Sequence, residues 1–190
     1  PRARCLGLYG YQFHNMQIAA EKNGFARFEA MENHYNLLYR EDERELIPIC
    51  RQMGVSLMPY SPLAAGHLTR PTWSADTLRA KTDRAAKGKY DRTEEEDMKI
   101  VTRVAELAGK YGVEMQEIAL AWEFAKGVES PIVGATKGVY LDDAAASLGV
   151  KLTDADAVYL EEMYVPHRIV GAIDRNPAAG KVLLDEKKSK

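Results

Sequence analysis

The sequence predicts an α/β fold of parallel β/α units, of the (β/α)-barrel kind, and three observations carry that prediction. Short apolar runs recur along the 190 residues, each followed by a helical pattern that closes on Gly, the residue best suited to a left-handed helix end. After the first run, Gly7-Leu8-Tyr9-Gly10-Tyr11 has only part of the glycine spacing of a doubly wound nucleotide fold, and no matching acidic residue stands about 20 residues on. Two loops of small residues, 60–66 and 134–137, each follow a predicted strand, and barrel enzymes put their chemistry at the C-terminal strand ends.

The first predicted strand, residues 5–8, leads to a helix over about 13–23 stopped by Gly24. The second, 28–31, leads to a helix over about 43–53 whose inner face is Leu46, Ile49, Cys50 and Met53, with Pro48 tolerable only in a first turn or at a kink. Residues 55–58 form the third strand, which Pro59 and Pro62 end because neither can donate a ladder hydrogen bond. Beyond Tyr60, with its flat ring, small side chains let backbone N–H groups and the Ser61 hydroxyl approach a phosphate. A long polar loop, about 69–92, precedes a helix that starts at a capping box of Thr93 and Glu96 and carries Val101, Val104, Ala105, Ala108 and Tyr111 inward to Gly112. The next helix, about 115–126, turns Ile118, Ala119, Trp122 and Ala125 inward and stops at Gly127. The fourth strand is 131–133, and its helix, about 139–148, carries Leu141, Ala145 and Leu148 and ends at Gly149. A last helix starts at a Thr153 cap and runs to about residue 164.

With 46% hydrophobic and 28% charged residues, the composition is that of a globular domain with one core. A formal net charge of -2 gives no basic face for nucleic acid, and no apolar run approaches the roughly 18 residues needed to span a bilayer. Cys5 and Cys50 read as buried thiols of a reducing, cytoplasmic compartment, and His14, His34, His67 and His167 lack metal-ligand spacing. The chain starts at Pro1, which suggests processing or truncation, and residues 176–190 read as a flexible tail.

Four segments in order, Glu32-Asn33-His34-Tyr35-Asn36-Leu37-Leu38, Tyr60-Ser61-Pro62-Leu63-Ala64-Ala65-Gly66-His67-Leu68, Pro131-Ile132-Val133-Gly134-Ala135-Thr136-Lys137 and Tyr164-Val165-Pro166-His167, resemble the aldo-keto reductases. These are NADP(H)-dependent oxidoreductases with the (β/α)8 TIM-barrel fold, which reduce aldehydes or ketones to alcohols. The resemblance implies that residues 1–175 are the C-terminal four β/α units of such a barrel, with extra helices. It implies that Tyr60 stacks on nicotinamide, and that Ser61, Pro62 and Leu63 with the small residues to Gly66 hold the pyrophosphate. Gly134, Ala135, Thr136 and Lys137 would meet the adenosine phosphate, a role that suits a helix N-terminus beside a point charge. Tyr140 and Asp143 fall where the family often contacts adenine. Glu32 replaces the usual Gln and can accept a hydrogen bond from the carboxamide NH2 but cannot donate one to its oxygen.

The family's Gly-x-Ser-Asn or Gly-x-Ser-Ser run after the fifth strand reads as replaced or shortened, since Gly7-Leu8 passes directly to Tyr9-Gly10-Tyr11. The family's catalytic Asp, Tyr, Lys and His belong to the first half of the barrel, so no catalytic residue is assigned here and the chain alone is expected to be inactive. His34 and Tyr35 follow a strand but, with no orienting partner legible in the sequence, read as packing residues. The implied partners are a small carbonyl substrate and, for two open sheet edges, a second copy or a complementary half-barrel. The alternative is a non-catalytic half-barrel module that binds nucleotide or self-assembles.

Overall fold

The computed structural model describes residues 3–6, 9–73, 89–90 and 93–169, with the backbone alone at 3–6. The predicted end of the first strand at 7–8, most of the polar loop and the 176–190 tail lie outside the described residues, as does the Cys5 side chain. Strands β1 (Ala3–Leu6), β2 (Phe28–Glu32) and β3 (Ser56–Leu57) form a parallel sheet in chain order. The register pairs Cys5 with Met31 and Met31 with Leu57, so the buried Met31 and Leu57 share the sheet's interior.

The predicted fourth strand is a single parallel bridge, Ile132 to Tyr60. Ser130 and Ile132 donate to the carbonyls of Leu57 and Pro59, at 3.2 and 2.8 Å. The pairing does not continue before the bridge for a local reason. Leu57 N–H is taken by the Glu129 carboxylate at 2.7 Å, and Pro59, the next residue facing that side, has no N–H. A strand whose N–H groups are taken or lacking cannot extend the ladder.

Helix α1 (Gly10–Lys22) starts three residues before the predicted position, and the buried Gln17 clamps it to β2 by exchanging hydrogen bonds with Phe28 N and O at 2.8 and 2.9 Å. A short 3-10 turn (Glu41–Arg44) leads to α2 (Leu46–Gln52), which places Pro48 in the first turn, where its missing donor is harmless, and buries Cys50. Leu46, Ile47, Cys50, Val55 and Leu57 join Phe13 and Met31 in the core.

Helix α3 (Glu94–Tyr111) buries Ile100, Val101, Val104, Leu107 and Ala108, but the expected capping box is not formed. Thr93 turns its hydroxyl to Asp97 at 2.6 Å, and Glu96 pairs with Lys99. The hydroxyl donates to the buried Asp97 carboxylate and lies 3.0 Å from Tyr90 O, and in this orientation it accepts from no N–H of the helix. In α4 (Met115–Ala125) nearly every residue is buried, yet Ala125, expected inward, is exposed at the helix end. In helix α5 (Gly138–Ala146) none of the residues is buried. Leu141 and the following Leu148 are 54% and 61% exposed, and Ala145 also faces out. The half-buried Asp143 and Ala144 lie on the side toward α4, so the large apolar side chains point away from this chain's core. Helix α6 (Asp154–Glu161) begins with the expected cap, Thr153 Oγ1 accepting from Asp156 N at 3.1 Å, and ends three residues short of residue 164. No helix among the described residues is long and apolar enough to cross a membrane.

Candidate functional site

The chain leaves β3 through Tyr60, whose N–H donates to Asn33 O at 2.8 Å, and then turns sharply. Ser61, Ala64 and Ala65 have φ of 59°, 48° and 57°, the positive-φ non-glycine residues among those described, and Gly66 follows at 97°. Each such residue is strained by roughly 1–2 kcal/mol, so neighbouring contacts must hold the turn. They do so through Asn36 Nδ2, which donates to Ser61 O at 2.8 Å, and through Ala64 N and Thr69 Oγ1, which donate to Ser61 O and Gly66 O at 2.9 and 2.8 Å.

This turn forms one wall of a cleft of about 690 Å³ at the C-terminal ends of the parallel strands. Ser61, Pro62, Leu63 and Gly66 line that wall; Gly134, Thr136, Tyr140 and Asp143 line the other. Of the remaining sequence-predicted residues, Glu32 ends β2 half-buried, Ala135 is exposed, and Lys137 is exposed at the α5 N-cap with Nζ 5.9 Å from the Tyr140 ring centroid. Helix α5 opens at Gly138, one residue before the expected start at 139, so Gly134, Ala135 and Thr136 precede its first turn. Tyr60 is half-buried outside the cleft lining.

Several lining residues were not foreseen. Arg70 lines the cleft with its Nε buried and without a hydrogen-bond partner, and a side chain at Gly66 would press on its Nη2. An unsatisfied guanidinium N–H beside small loop residues is a donor set suited to an anion. The signal in the sequence was a cation four residues after the last loop glycine. Gln116, near the start of α4, reaches across to Asp143 at 2.5 Å and thereby fixes the carboxylate at the far wall.

His34 has the orienting partner that the sequence did not show. Its Nε2 is 2.8 Å from the hydroxyl of Tyr90, and its ring stacks on Tyr39 and Tyr60 at 4.1 and 5.2 Å. Burial, with Lys89 and His167 nearby, lowers its pKa to about 3, so the imidazole is neutral. Tyr35 is buried against Trp122 and donates to Glu43 at 2.6 Å. Neither residue lines the cleft. The segment after α6 is fastened by polar contacts. Tyr164 OH and His167 N both reach Glu41 Oε1, and His167 Nε2 meets Asp97 Oδ1 at 3.0 Å.

This arrangement of parallel strands ending at a small-residue turn and a cleft coincides with a match of residues 2–165 to the model of the aldo/keto reductase family. The chain belongs to that family. Its relatives include a versiconal hemiacetal acetate reductase of Aspergillus parasiticus, 44% identical over 172 residues, 88% of this chain and 50% of the relative. An aldo-keto reductase of Fusarium vanettenii is 41% identical over 165 residues, 86% of this chain and 44% of the relative. A further one, of Metarhizium robertsii, has the same identity and coverage. The chain thus spans about half the length of these aldo/keto reductases. The family implies a fold of the (β/α)8 barrel type, with which the observed α/β units agree.

Proposed function

We propose that residues 1–175 are the C-terminal four β/α units of a (β/α)8 aldo-keto reductase that reduces a small aldehyde or ketone with NADP(H), and that 176–190 is its tail. The observation that carries this reading is the convergence of the strained Ser61–Gly66 turn, the Gly134–Thr136 loop and the unsatisfied Arg70 on one cleft at the strand ends. The cleft has room for part of a dinucleotide and supplies backbone N–H groups, a hydroxyl and a guanidinium for its phosphates.

In this reading Ser61, Pro62, Leu63, Gly66 and Arg70 hold the pyrophosphate, and Gly134, Ala135, Thr136 and Lys137 meet the adenosine phosphate. Tyr140 and Asp143 flank the adenine, with Asp143 held in place by Gln116. Tyr60 presents its ring to the nicotinamide and Glu32 accepts from its carboxamide. The cofactor supplies the hydride when bound; this chain's part is to bind, orient and keep water from it. The proton donor and the rest of the substrate wall belong to complementary barrel units, to which the exposed Val139, Leu141 and Leu148 offer an apolar face. That face equally supports the second reading, a half-barrel module that binds nucleotide and assembles without catalysis.

Titration of the chain with NADPH, read by enhancement of nicotinamide fluorescence, tests the proposal. Saturable binding that is lost on replacing Arg70 and Ser61 by Ala is expected, and an unmodified chain that binds no nucleotide overturns it.

A further inference from the structure

Where the chain returns toward α3, Tyr90 is fully buried. Its hydroxyl lies 3.0 Å from Asn36 Nδ2 and 2.8 Å from His34 Nε2. The direction of each hydrogen bond follows from its neighbours. Asn36 Oδ1 accepts from Leu38 N at 2.9 Å, so the group aimed at Tyr90 and, at 2.8 Å, at Ser61 O is the amide NH2. A hydroxyl that accepts from Asn36 has its single proton left for His34 Nε2. In this arrangement the neutral imidazole accepts at Nε2 and carries its proton on Nδ1, which is buried without a hydrogen-bond partner.

The two branches that leave this hydroxyl end on consecutive residues of the candidate site. Through Asn36 it reaches the carbonyl of Ser61, the first left-handed residue of the turn. Through His34 it reaches the Tyr60 ring, which stacks on the imidazole with an interplanar angle of 8°. We propose that Tyr90 is a positioning residue of the cofactor site, its hydroxyl holding the Ser61 carbonyl through Asn36 and the Tyr60 ring through His34.

This inference rests on the nucleotide reading given above. A hydroxyl shared by both arms fixes the pyrophosphate turn and the ring platform together, so the nucleotide meets a prearranged surface and does not have to order it. Without the hydroxyl, the buried Asn36 amide and His34 imidazole each lose a partner, and the turn has an alternative to its strained conformation.

Two measurements on the same protein separate this inference from the reading beneath it. The 15N shifts of the His34 imidazole should show the Nδ1–H tautomer in the unmodified chain, and an Nε2–H tautomer overturns the hydrogen-bond fork whether or not nucleotide binds. Tyr90→Phe should bind NADPH about tenfold more weakly while still unfolding cooperatively. Native affinity in that variant overturns the positioning role even if its stability falls. Should Tyr90→Phe not fold, Asn36→Asp takes its place, since a carboxylate cannot donate to Ser61 O and takes the Tyr90 proton for itself. Both the NADPH affinity and the His34 tautomer should then change, and retention of both overturns the proposal. An unmodified chain with the Nδ1–H tautomer that binds no NADPH overturns the cofactor reading, and with it the role given to Tyr90, while leaving the fork intact.

Discussion

Single side chains set both the strengths and the liabilities of this molecule. Glu123 is fully buried in α4 with neither carboxylate oxygen bonded, and burial raises its pKa well above the usual value. The folded state therefore holds a proton that the unfolded chain gives up near its ordinary pKa of about 4.3. Stability falls as pH rises above that value, by about 1.4 kcal/mol per pH unit, until the folded-state pKa is reached. Glu123→Gln should accordingly be more stable than the unmodified chain at pH 7 and indistinguishable from it near pH 4, as urea denaturation across that range will show. Two cations divide the nucleotide between them in the proposed site. Arg70 sits against the pyrophosphate turn, so Arg70→Ala should weaken NADPH and NADH equally, by about tenfold or more. Lys137 stands at the α5 N-cap, so Lys137→Ala should weaken NADPH more than NADH; an equal loss shows that it does not read the extra phosphate. The sequence singled out Lys137 through its motif but not Arg70. The value of Arg70 lies in an unsatisfied Nε, which only the fold around it creates.

Secondary-structure elements were legible where one local rule governed them and were missed where charge or a distant partner intervened. The Gly stops after α1, α2, α3 and α4 all take positive φ, and the Thr153 cap forms as its spacing requires. The Thr93 box does not form, because Asp97, buried through packing that no local pattern reveals, takes the hydroxyl. The fourth strand shrinks to a bridge where Pro59 has no N–H to give and the Glu129 side chain captures that of Leu57. Asp97 also fastens the segment of residues 164–167 through His167. Burial opposes charge on that imidazole, but the hydrogen bond and charge of Asp97, with Val165 O and Glu41 beside it, raise its pKa above 6.5. The Tyr164 and Tyr39 rings, packed on the imidazole, carry no charge that reverses this. A raised pKa means that the ion pair contributes fully below pH 6.5 and is lost as pH rises through the folded value. Hydrogen exchange, corrected for its intrinsic pH dependence, should show backbone protection of 164–169 falling as pH rises above 6.5 through the raised folded value. Asp97→Asn should remove that pH dependence.

At the scale of the whole molecule, the order of β/α units was readable from hydrophobic period and glycine stops, whereas the outward apolar face of α5 was not. Periodicity says that a face is apolar; it does not say whether the surface that covers it belongs to the same chain. Leu141 and Leu148 are exposed here, and the relatives are about twice as long, so the proposed barrel places its remaining units against this face and the sheet edges. Activity follows from the same division. The 190-residue chain by itself should fail to reduce carbonyls while retaining NADPH binding. Among the described residues outside the cleft, Tyr90 and Tyr35 are buried with raised pKa values, and burial lowers the pKa of His34 to about 3, so none of the three is poised to give up a proton near neutral pH. Positioned acid catalysis typically contributes about a hundred- to ten-thousand-fold, and a substrate pocket without the walls of the proposed remaining units orients its substrate poorly, so both contributions are lost together. The measurement is NADPH oxidation with a reactive aromatic aldehyde, run beside the fluorescence titration on the same homogeneous preparation. Binding without turnover agrees with a half-barrel that awaits its partner. Sustained turnover by this chain would show that a proton relay lies within it, and His34→Gln and Tyr35→Phe would be the first variants to locate it.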